Sequence, residues 1–155
     1  MKVLFLDIDG VLNSIKWYKS RVRYPAPRTR EQYNEMEFDP EAVKLLKRII
    51  KETGCKVVLS SVWRLNQENR VAVRKYAVPF IDCTPHMPRP SSSSWEYRER
   101  GREVLAWIIA NEVVDNYAIL DDDSDFFDWQ PLFKTENSIG LTRGIAEQVI
   151  SHFNK

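Results

Sequence analysis

The chain has 155 residues, and 43% of them are hydrophobic, so it is long enough to fold around a core of its own. Its 23 basic and 22 acidic side chains nearly cancel, which excludes an overall basic nucleic-acid coat and an acidic solvating tail. No stretch approaches the roughly 18 consecutive apolar residues of a membrane-spanning helix. Cys55 and Cys83 lack a C-x-x-C spacing, and the N-terminal apolar run is too short for a signal peptide. We therefore expect one cytoplasmic domain over residues 1–155, with no membrane association and no obligate protein partner.

The first half of the chain alternates between apolar runs and one clear helical pattern. Residues 3–6 form a continuous apolar run, which predicts a strand covered on both faces. A long connection, 14–38, separates this strand from a helix that we expect to begin after Asp39 and to end at Gly54. The run at 56–59 predicts a second buried strand.

The second half predicts more helices and strands in the same alternating order. Helical patterns cover 66–76 and 97–112 and follow Thr142, and strand signals lie at 117–120 and, more weakly, at Phe80 and Leu132. Residues 84–96 are rich in proline and serine and predict an irregular loop. Alternating strands and helices predict an α/β fold, a three-layer sandwich with helices on both faces of a mostly parallel sheet.

Polar side chains follow each of the three main apolar runs. The first run leads into Asp7 and Asp9, the second into Ser60, Ser61 and Arg64, and the third into Asp121, Asp122, Asp123 and Asp125. The carboxyl ends of parallel strands meet at one edge of a sheet, where ligands bind. Carboxylates so close together repel one another unless a hard divalent cation neutralises them, and Mg²⁺ prefers oxygen ligands and leaves positions for phosphate. The sequence therefore predicts a magnesium site that handles phosphate.

Four segments resemble, in order, the four motifs of the haloacid dehalogenase (HAD) superfamily of phosphotransferases. They are "FLDIDGVLN", "VVLSS", an arginine near "RGREVLAWI", and "YAILDDDSD". Together with the later "GLT", they look like a small HAD domain found in RNA end-repair proteins and in uncharacterised bacterial and phage proteins. The resemblance spans almost the whole chain. It implies a HAD-like Rossmannoid fold with only a small cap insertion, and a phosphatase activity.

The resemblance also implies a role for each matching residue. Asp7 would attack phosphorus to give an aspartyl-phosphate, and Asp9 would protonate the leaving group and then activate water. Ser60 would hold a phosphoryl oxygen. The magnesium ligands would come from Asp7, the Asp9 carbonyl, Asp122 and Asp121, with Asp125 as a further support.

The third motif of the superfamily is usually a lysine, and here the matching region offers three arginines. They are Arg98, Arg100 and Arg102, of which we prefer Arg100 because it lies just before a glycine. Arginine can supply the same positive charge with bidentate geometry. Arg64 is a competitor for this role or for substrate binding. Ser61 either caps the helix that follows it or adds to the substrate site.

The connection at 14–38 is predicted to be a small basic cap-type insertion. Its first part, "SIKWYKSRVRYPAPRTR", carries six basic and no acidic residues, with aromatic residues between them. Basic groups bind phosphates and aromatic faces stack on bases, so Lys16, Arg21 and Arg23 are candidates for binding substrate. The alternative is a solvated basic loop. An insertion this short leaves an open site, which favours a nucleotide or nucleic-acid phosphate terminus.

Other functions remain open at this point. The enzyme could act on a small phosphorylated metabolite, or the fold could be a catalytically silent binding module. A receiver-type signalling domain also groups acids around magnesium, but it places an adjacent acid pair after the first strand, whereas here the first strand carries D-x-D. The position of the phosphate, 3′ or 5′, and the choice among RNA, DNA and a mononucleotide are not determined by these motifs.

Overall fold

A five-stranded parallel sheet lies at the centre of this computed structural model, which describes residues 1–87, 98–111 and 113–155. Its strands are β1 (Lys2–Leu6), β2 (Lys56–Leu59), β3 (Asp82–Cys83), β4 (Asn116–Asp121) and β5 (Leu132–Lys134). They lie in the order β3-β2-β1-β4-β5, and all neighbouring pairs are parallel. The chain order reverses between β1 and β4, and in open α/β sheets ligands bind at such a reversal.

Helices cover both faces of this sheet. They are α1 (Ile15–Ser20), α2 (Arg30–Glu35), α3 (Pro40–Thr53), α4 (Gln67–Ala72), α5 (Glu99–Ala110) and α6 (Arg143–Phe153). Leu4 and Leu6 of β1 face the core formed with α3 and α6, whereas Val3 and Phe5 face α5. Burial on both faces explains the continuous apolar run of β1 and confirms the predicted three-layer α/β fold. In the described part of the chain, no helix has the length and apolar composition needed to cross a bilayer.

Helix α3 begins and ends where the sequence predicts. The Asp39 carboxylate accepts a hydrogen bond of 2.9 Å from the backbone N–H of Glu41, and Pro40 occupies the first helical position. Gly54 follows the last turn with a φ of 69°, a left-handed conformation that glycine adopts without the steric cost of a Cβ. The predicted helix boundaries are confirmed.

Two other predictions differ from the structure in extent. The pattern at 66–76 gives α4 only as far as Ala72, and the chain then continues in a wider π-helical turn, Val73–Ala77. The predicted irregular loop at 84–96 is described only over 84–87, which contain no helix or strand. The remainder of that loop lies outside the described residues.

The connection at 14–38 contains regular structure that its composition does not indicate. A serine side chain caps α1 and a threonine side chain caps α2, each accepting a hydrogen bond of 3.1 Å from a backbone N–H three residues later. Helices of six residues are not stable in isolation, so packing must hold them. Trp17 of α1 is buried, and its indole N–H donates to the Met36 carbonyl at 2.9 Å.

Backbone hydrogen bonds continue the strand pairing beyond the strand ends. Asp7 N–H donates to the Leu120 carbonyl at 3.0 Å, Ser60 N–H to Leu6 at 2.9 Å, and Thr135 N–H to Asp121 at 2.9 Å. These bonds keep the chain in register after β1, β2 and β5. The polar residues that follow β1, β2 and β4 therefore meet at one edge of the sheet, as the sequence predicts.

Candidate active site

Two buried carboxylates and one arginine form the centre of this edge. Asp7 follows β1 and is 3% exposed, and Asp121 ends β4 and is fully buried. Arg100, in the first turn of α5, places Nη2 3.2 Å from Asp7 Oδ1 and 2.5 Å from Asp121 Oδ2. A single guanidinium thus compensates carboxylates from two neighbouring strands. Of the three candidate arginines, Arg100 contacts both of these acids.

Burial is the largest influence on the pKa values of Asp7 and Asp121. It raises the pKa of Asp121 to about 8, and the nearby charge of Asp7 acts in the same direction, while Arg100 opposes both effects. Burial also raises the pKa of Asp7, although Arg100, the Ser61 hydroxyl and the Ile8 N–H lower it by stabilising the carboxylate. Arg100 therefore offsets only part of the effect of burial on the pKa values of these two acids. A further cation would fit the charge of this site.

The acids that follow β1 and β4 offer such a cation a set of oxygen ligands. Carboxylate oxygens of Asp7, Asp121 and Asp122 all lie within 4.8 Å of one another. An all-oxygen donor set and carboxylates with raised pKa values fit Mg²⁺, which binds one or two carboxylates and keeps positions for water and phosphate. The predicted set also contained Asp9, whose side chain is not part of this group. A role for its carbonyl remains a prediction.

At Gly10 the backbone turns and passes close to the Asp122 carboxylate. Its φ is 72°, and a Cβ placed there would lie 2.3 Å from Asp122 Oδ2. Asn13 Oδ1 accepts the Gly10 N–H at 3.0 Å, and Thr135 Oγ1 donates to the Gly10 carbonyl at 2.7 Å. The turn is therefore fixed from two sides, and the absence of a side chain makes room for Asp122.

Replacing Gly10 with alanine should disturb the cation site. A left-handed alanine costs about 1–2 kcal/mol, and its Cβ must also displace the Asp122 carboxylate. We expect a lower free energy of unfolding, measured in urea. We also expect Mg²⁺ to raise the Tm of the wild type, and Gly10→Ala to lose most of that rise. Gly144→Ala is the matched control, since a Cβ there meets open space within a helix. A Gly10→Ala protein with the wild-type magnesium response would contradict this account.

Asp9 is held separately from the buried carboxylates and is exposed. Its Oδ2 accepts the Trp63 indole N–H at 3.0 Å, and its Oδ1 accepts the Asn13 amide at 3.0 Å. The Asn13 amide can only donate here, because its oxygen already accepts the Gly10 N–H. The Trp63 ring packs on Phe38 with 5.4 Å between centroids. Two neutral donors from different elements thus orient Asp9 toward solvent.

The family comparison agrees with this geometry. Residues 3–146 match a family described as the HAD domain in Swiss Army Knife RNA repair proteins. The chain belongs to this HAD family. The match includes all of the acids and donors described above, and it confirms the superfamily and the fold class that the motifs indicate. No curated protein and no solved structure matches the chain.

Ser61 is the serine whose side chain contacts Asp7. The Ser61 hydroxyl hydrogen-bonds to Asp7, and its oxygen also accepts the Trp63 backbone N–H at 3.3 Å. It therefore caps the 3₁₀ turn Val62–Leu65 and contacts Asp7 at once. The Ser60 hydroxyl is buried without a hydrogen-bond partner among the described residues. Ser61 is therefore the hydroxyl that supports Asp7, while the role of Ser60 in holding a phosphoryl oxygen stays a prediction.

Arg64 does not fit the substrate-binding or third-motif role that the sequence suggested. It is 6% exposed and forms an ion pair of 2.7 Å with Glu103 of α5. Its remaining donors bind the carbonyls of Ser60, Ser61, Thr84 and Pro85 at 2.9–3.2 Å. Arg64 thus ties the ends of β2 and β3 to α5. Its buried guanidinium has no donor directed to solvent.

The three candidate residues of the insertion also differ from one another. Arg21 donates to Glu37 and to the Met36 carbonyl, both at 3.0 Å, and its guanidinium lies 4.4 Å from the Tyr18 ring centroid. Because Glu37 neutralises it, Arg21 fits a role inside the insertion better than one on the substrate. Lys16 and Arg23 are exposed and have no ion pair within the described ranges. Both remain predicted substrate contacts.

Proposed function

We propose that this HAD domain is a magnesium-dependent phosphomonoesterase that works through an aspartyl-phosphate on Asp7, with a nucleotide or nucleic-acid phosphate terminus as its substrate. The observation that carries this proposal is the difference in environment between the carboxylates of Asp7 and Asp9. Asp7 is buried beside Arg100 and two further acids, whereas Asp9 is exposed and oriented by neutral donors. These positions suit the two roles, since a nucleophile must lie against the bound phosphoryl group, whereas a general acid must reach the leaving group and water.

The reaction divides into two displacements. An Asp7 carboxylate oxygen attacks phosphorus, the bond from phosphorus to the ester oxygen breaks, and the leaving alkoxide takes a proton from Asp9. Asp9, now ionised, accepts a proton from water, which attacks the aspartyl-phosphate at phosphorus. The phosphoryl group leaves as inorganic phosphate, and the Asp7 carboxylate and the Asp9 proton are restored.

The other residues of the site supply charge and position. Arg100 compensates part of the negative charge of Asp7 and Asp121, which lowers the repulsion that an approaching phosphate meets. Asp7, Asp121 and Asp122 would hold Mg²⁺, which when bound shields phosphate oxygens from the nucleophile and stabilises the charge of the transferring group. The Ser61 hydroxyl supports the ionised form of Asp7.

The insertion and the family support a nucleic-acid substrate. Four exposed cations of the insertion have no ion pair within the described part of the chain: Lys16, Lys19, Arg23 and Arg28. Cations of this kind bind phosphate backbones. The matched family is described by its occurrence in RNA repair proteins, which favours a nucleic-acid substrate for this chain as well.

Phosphate release is the measurement that tests this function. We would compare Mg²⁺ with EDTA on a panel of 3′- and 5′-phosphorylated oligonucleotides, mononucleotides and sugar phosphates. Selective release from one kind of polynucleotide end supports the proposal. Preference for sugar phosphates would instead identify a metabolite phosphatase. Release from no substrate would identify a silent binding module.

Trp63→Phe tests the orientation of Asp9. Phenylalanine keeps a ring to pack on Phe38 and removes the N–H that binds Asp9. A mispositioned acid should lower kcat about tenfold for an alkyl phosphate, whose leaving group needs a proton. It should change kcat little for 4-nitrophenyl phosphate, whose leaving group does not.

The control for this variant is Trp107→Phe. It also removes a hydrogen-bonded indole N–H, but one that donates to Asp82 at 2.7 Å, away from the catalytic acids. Trp107→Phe should show no dependence on the leaving group. Equal losses on both substrates in Trp63→Phe would mean that the indole does not position Asp9.

A further inference from the structure

A cavity of about 520 Å³ opens within the insertion, beside the candidate active site. Its walls include Trp17, Tyr24, Arg28, Gln32, Met36 and Phe38. The cavity volume is within the ordinary range of small-molecule sites, and its walls combine flat rings with a few polar groups. Nothing in the proposed phosphoryl transfer uses this space.

Trp17 and Tyr24 line the cavity; the first is fixed by a hydrogen bond, and the second is exposed to solvent. The Trp17 indole is pinned by its hydrogen bond to the Met36 carbonyl, and the Tyr24 ring lies 6.1 Å from it. Tyr24 is 58% exposed at the rim. Prolines on either side of Ala26 also line the cavity and have no N–H to satisfy there. A planar ligand could therefore stack on tyrosine while it replaces only water.

The polar groups at the same opening match the edges of a base on a phosphate strand. Arg28, Gln32 and Glu35 line the cavity, and their side chains carry a guanidinium, an amide and a carboxylate. The Gln32 oxygen accepts the Arg28 backbone N–H at 2.8 Å, which orients its amide nitrogen away from that bond. Such groups hydrogen-bond to base edges, and unpaired bases are read in this way in single strands.

The cavity is also connected to the catalytic acid. Phe38 forms part of its wall and packs on Trp63, whose indole binds Asp9. Resting on the function proposed above, we propose that this cavity holds an unpaired nucleobase of a single-stranded polynucleotide whose phosphate terminus is delivered to Asp7. The exposed cations of the insertion, including Arg23, bind the phosphates of that strand. A duplex cannot place a paired base in the cavity.

Binding of strands without a terminal phosphate monoester tests this site independently of turnover. Fluorescence anisotropy would compare a short single-stranded RNA, an oligomer of equal length with abasic residues, and the corresponding duplex. We expect the wild-type protein to bind the base-bearing strand more tightly than the other two. Tyr24→Ala should weaken binding of that strand roughly tenfold and leave the abasic oligomer unchanged. Arg23→Ala should weaken both by the same factor, because it acts on phosphates.

Trp129→Ala is the aromatic control, since Trp129 is 63% exposed but lies between β4 and β5, outside the cavity. It should bind all three probes as the wild type does. Equal wild-type affinity for base-bearing and abasic strands, or full affinity in Tyr24→Ala, would overturn the base site. Tight base-dependent binding without phosphate release would refute the phosphatase and keep the site. Phosphate release without a preference for base-bearing strands would support the phosphatase and refute the base site.

Discussion

Replacing Asp7 with asparagine should lower phosphate release by at least about 1,000-fold, because an amide cannot form the aspartyl-phosphate. The fold should survive, since asparagine has the same size and can still accept hydrogen bonds from Arg100 and Ser61. The substitution also removes one of the two acids that compete for a single guanidinium. We therefore expect the free energy of unfolding without Mg²⁺ to stay the same or to rise.

Asp128→Asn is the matched control for this substitution. Asp128 is exposed on the loop before β5 and is not among the clustered carboxylates of the described residues. Its activity should equal that of the wild type. Phosphate release and urea unfolding on the same preparations separate a catalytic loss from a folding loss. Near-normal hydrolysis by Asp7→Asn would show that another group is the nucleophile.

Arg100→Ala should cause the largest loss of stability at the site. Removing one partner from a buried ion pair costs about 3–5 kcal/mol, because the remaining charge stays without compensation. Here two carboxylates, Asp7 and Asp121, lose the same cation. Turnover should fall as well, since the phosphate would then approach two uncompensated acids. Urea unfolding at several pH values, with and without Mg²⁺, measures the effect.

The pH dependence of this loss follows from the raised pKa values of the two acids. Each binds its proton more tightly in the folded state than in the unfolded chain, so stability falls as pH rises above about 4, the unfolded value, and for Asp121 the fall continues to about pH 8. Without Arg100, which lowers both pKa values, the loss extends to higher pH. The free energy of unfolding of Arg100→Ala should thus be closest to that of the wild type at acidic pH and differ from it most at alkaline pH.

Arg100→Lys and added magnesium serve as controls for the role of charge. Lysine keeps the positive charge on a shorter side chain that lacks the Nη2 atom in contact with both carboxylates, so it should recover part of the stability. Saturating Mg²⁺ should reduce the deficit of Arg100→Ala by supplying a cation to the same oxygens. Wild-type stability of Arg100→Ala at pH 8 without metal would show that the ion pairs contribute nothing.

Local patterns account for the parts of the structure that the sequence predicted. The run at 3–6 is apolar at every position because both faces of β1 are covered, and Asp39 and Gly54 mark the ends of α3 through bonds to adjacent residues. The catalytic candidates Asp7 and Asp9 follow directly from a strand and a turn. Each of these signals acts over a few residues, so a single sequence shows it.

The partners of the basic residues could not be predicted, because they are remote in the sequence. In the sequence, Arg64 lies among polar residues and looks able to bind substrate. In the structure it pairs with Glu103 of α5, which lies 39 positions later in the chain. Arg21 looks like its neighbour Arg23, but Glu37 neutralises only Arg21. A basic residue and its compensating acid have no fixed spacing. The same holds for Trp63, which meets Asp9 across 54 positions of sequence.

The contact of Phe38 with Trp63 has a consequence for attempts to exchange the insertion between related HAD domains. Phe38 ends the insertion, while Trp63 belongs to the 3₁₀ turn after β2 and donates a hydrogen bond to Asp9. An insertion transferred from another domain with a residue at position 38 that packs poorly on Trp63 would also displace Asp9. Such a chimera would change the catalytic step as well as the substrate selectivity. Chimeras should therefore carry the phenylalanine and the tryptophan as one transferable unit.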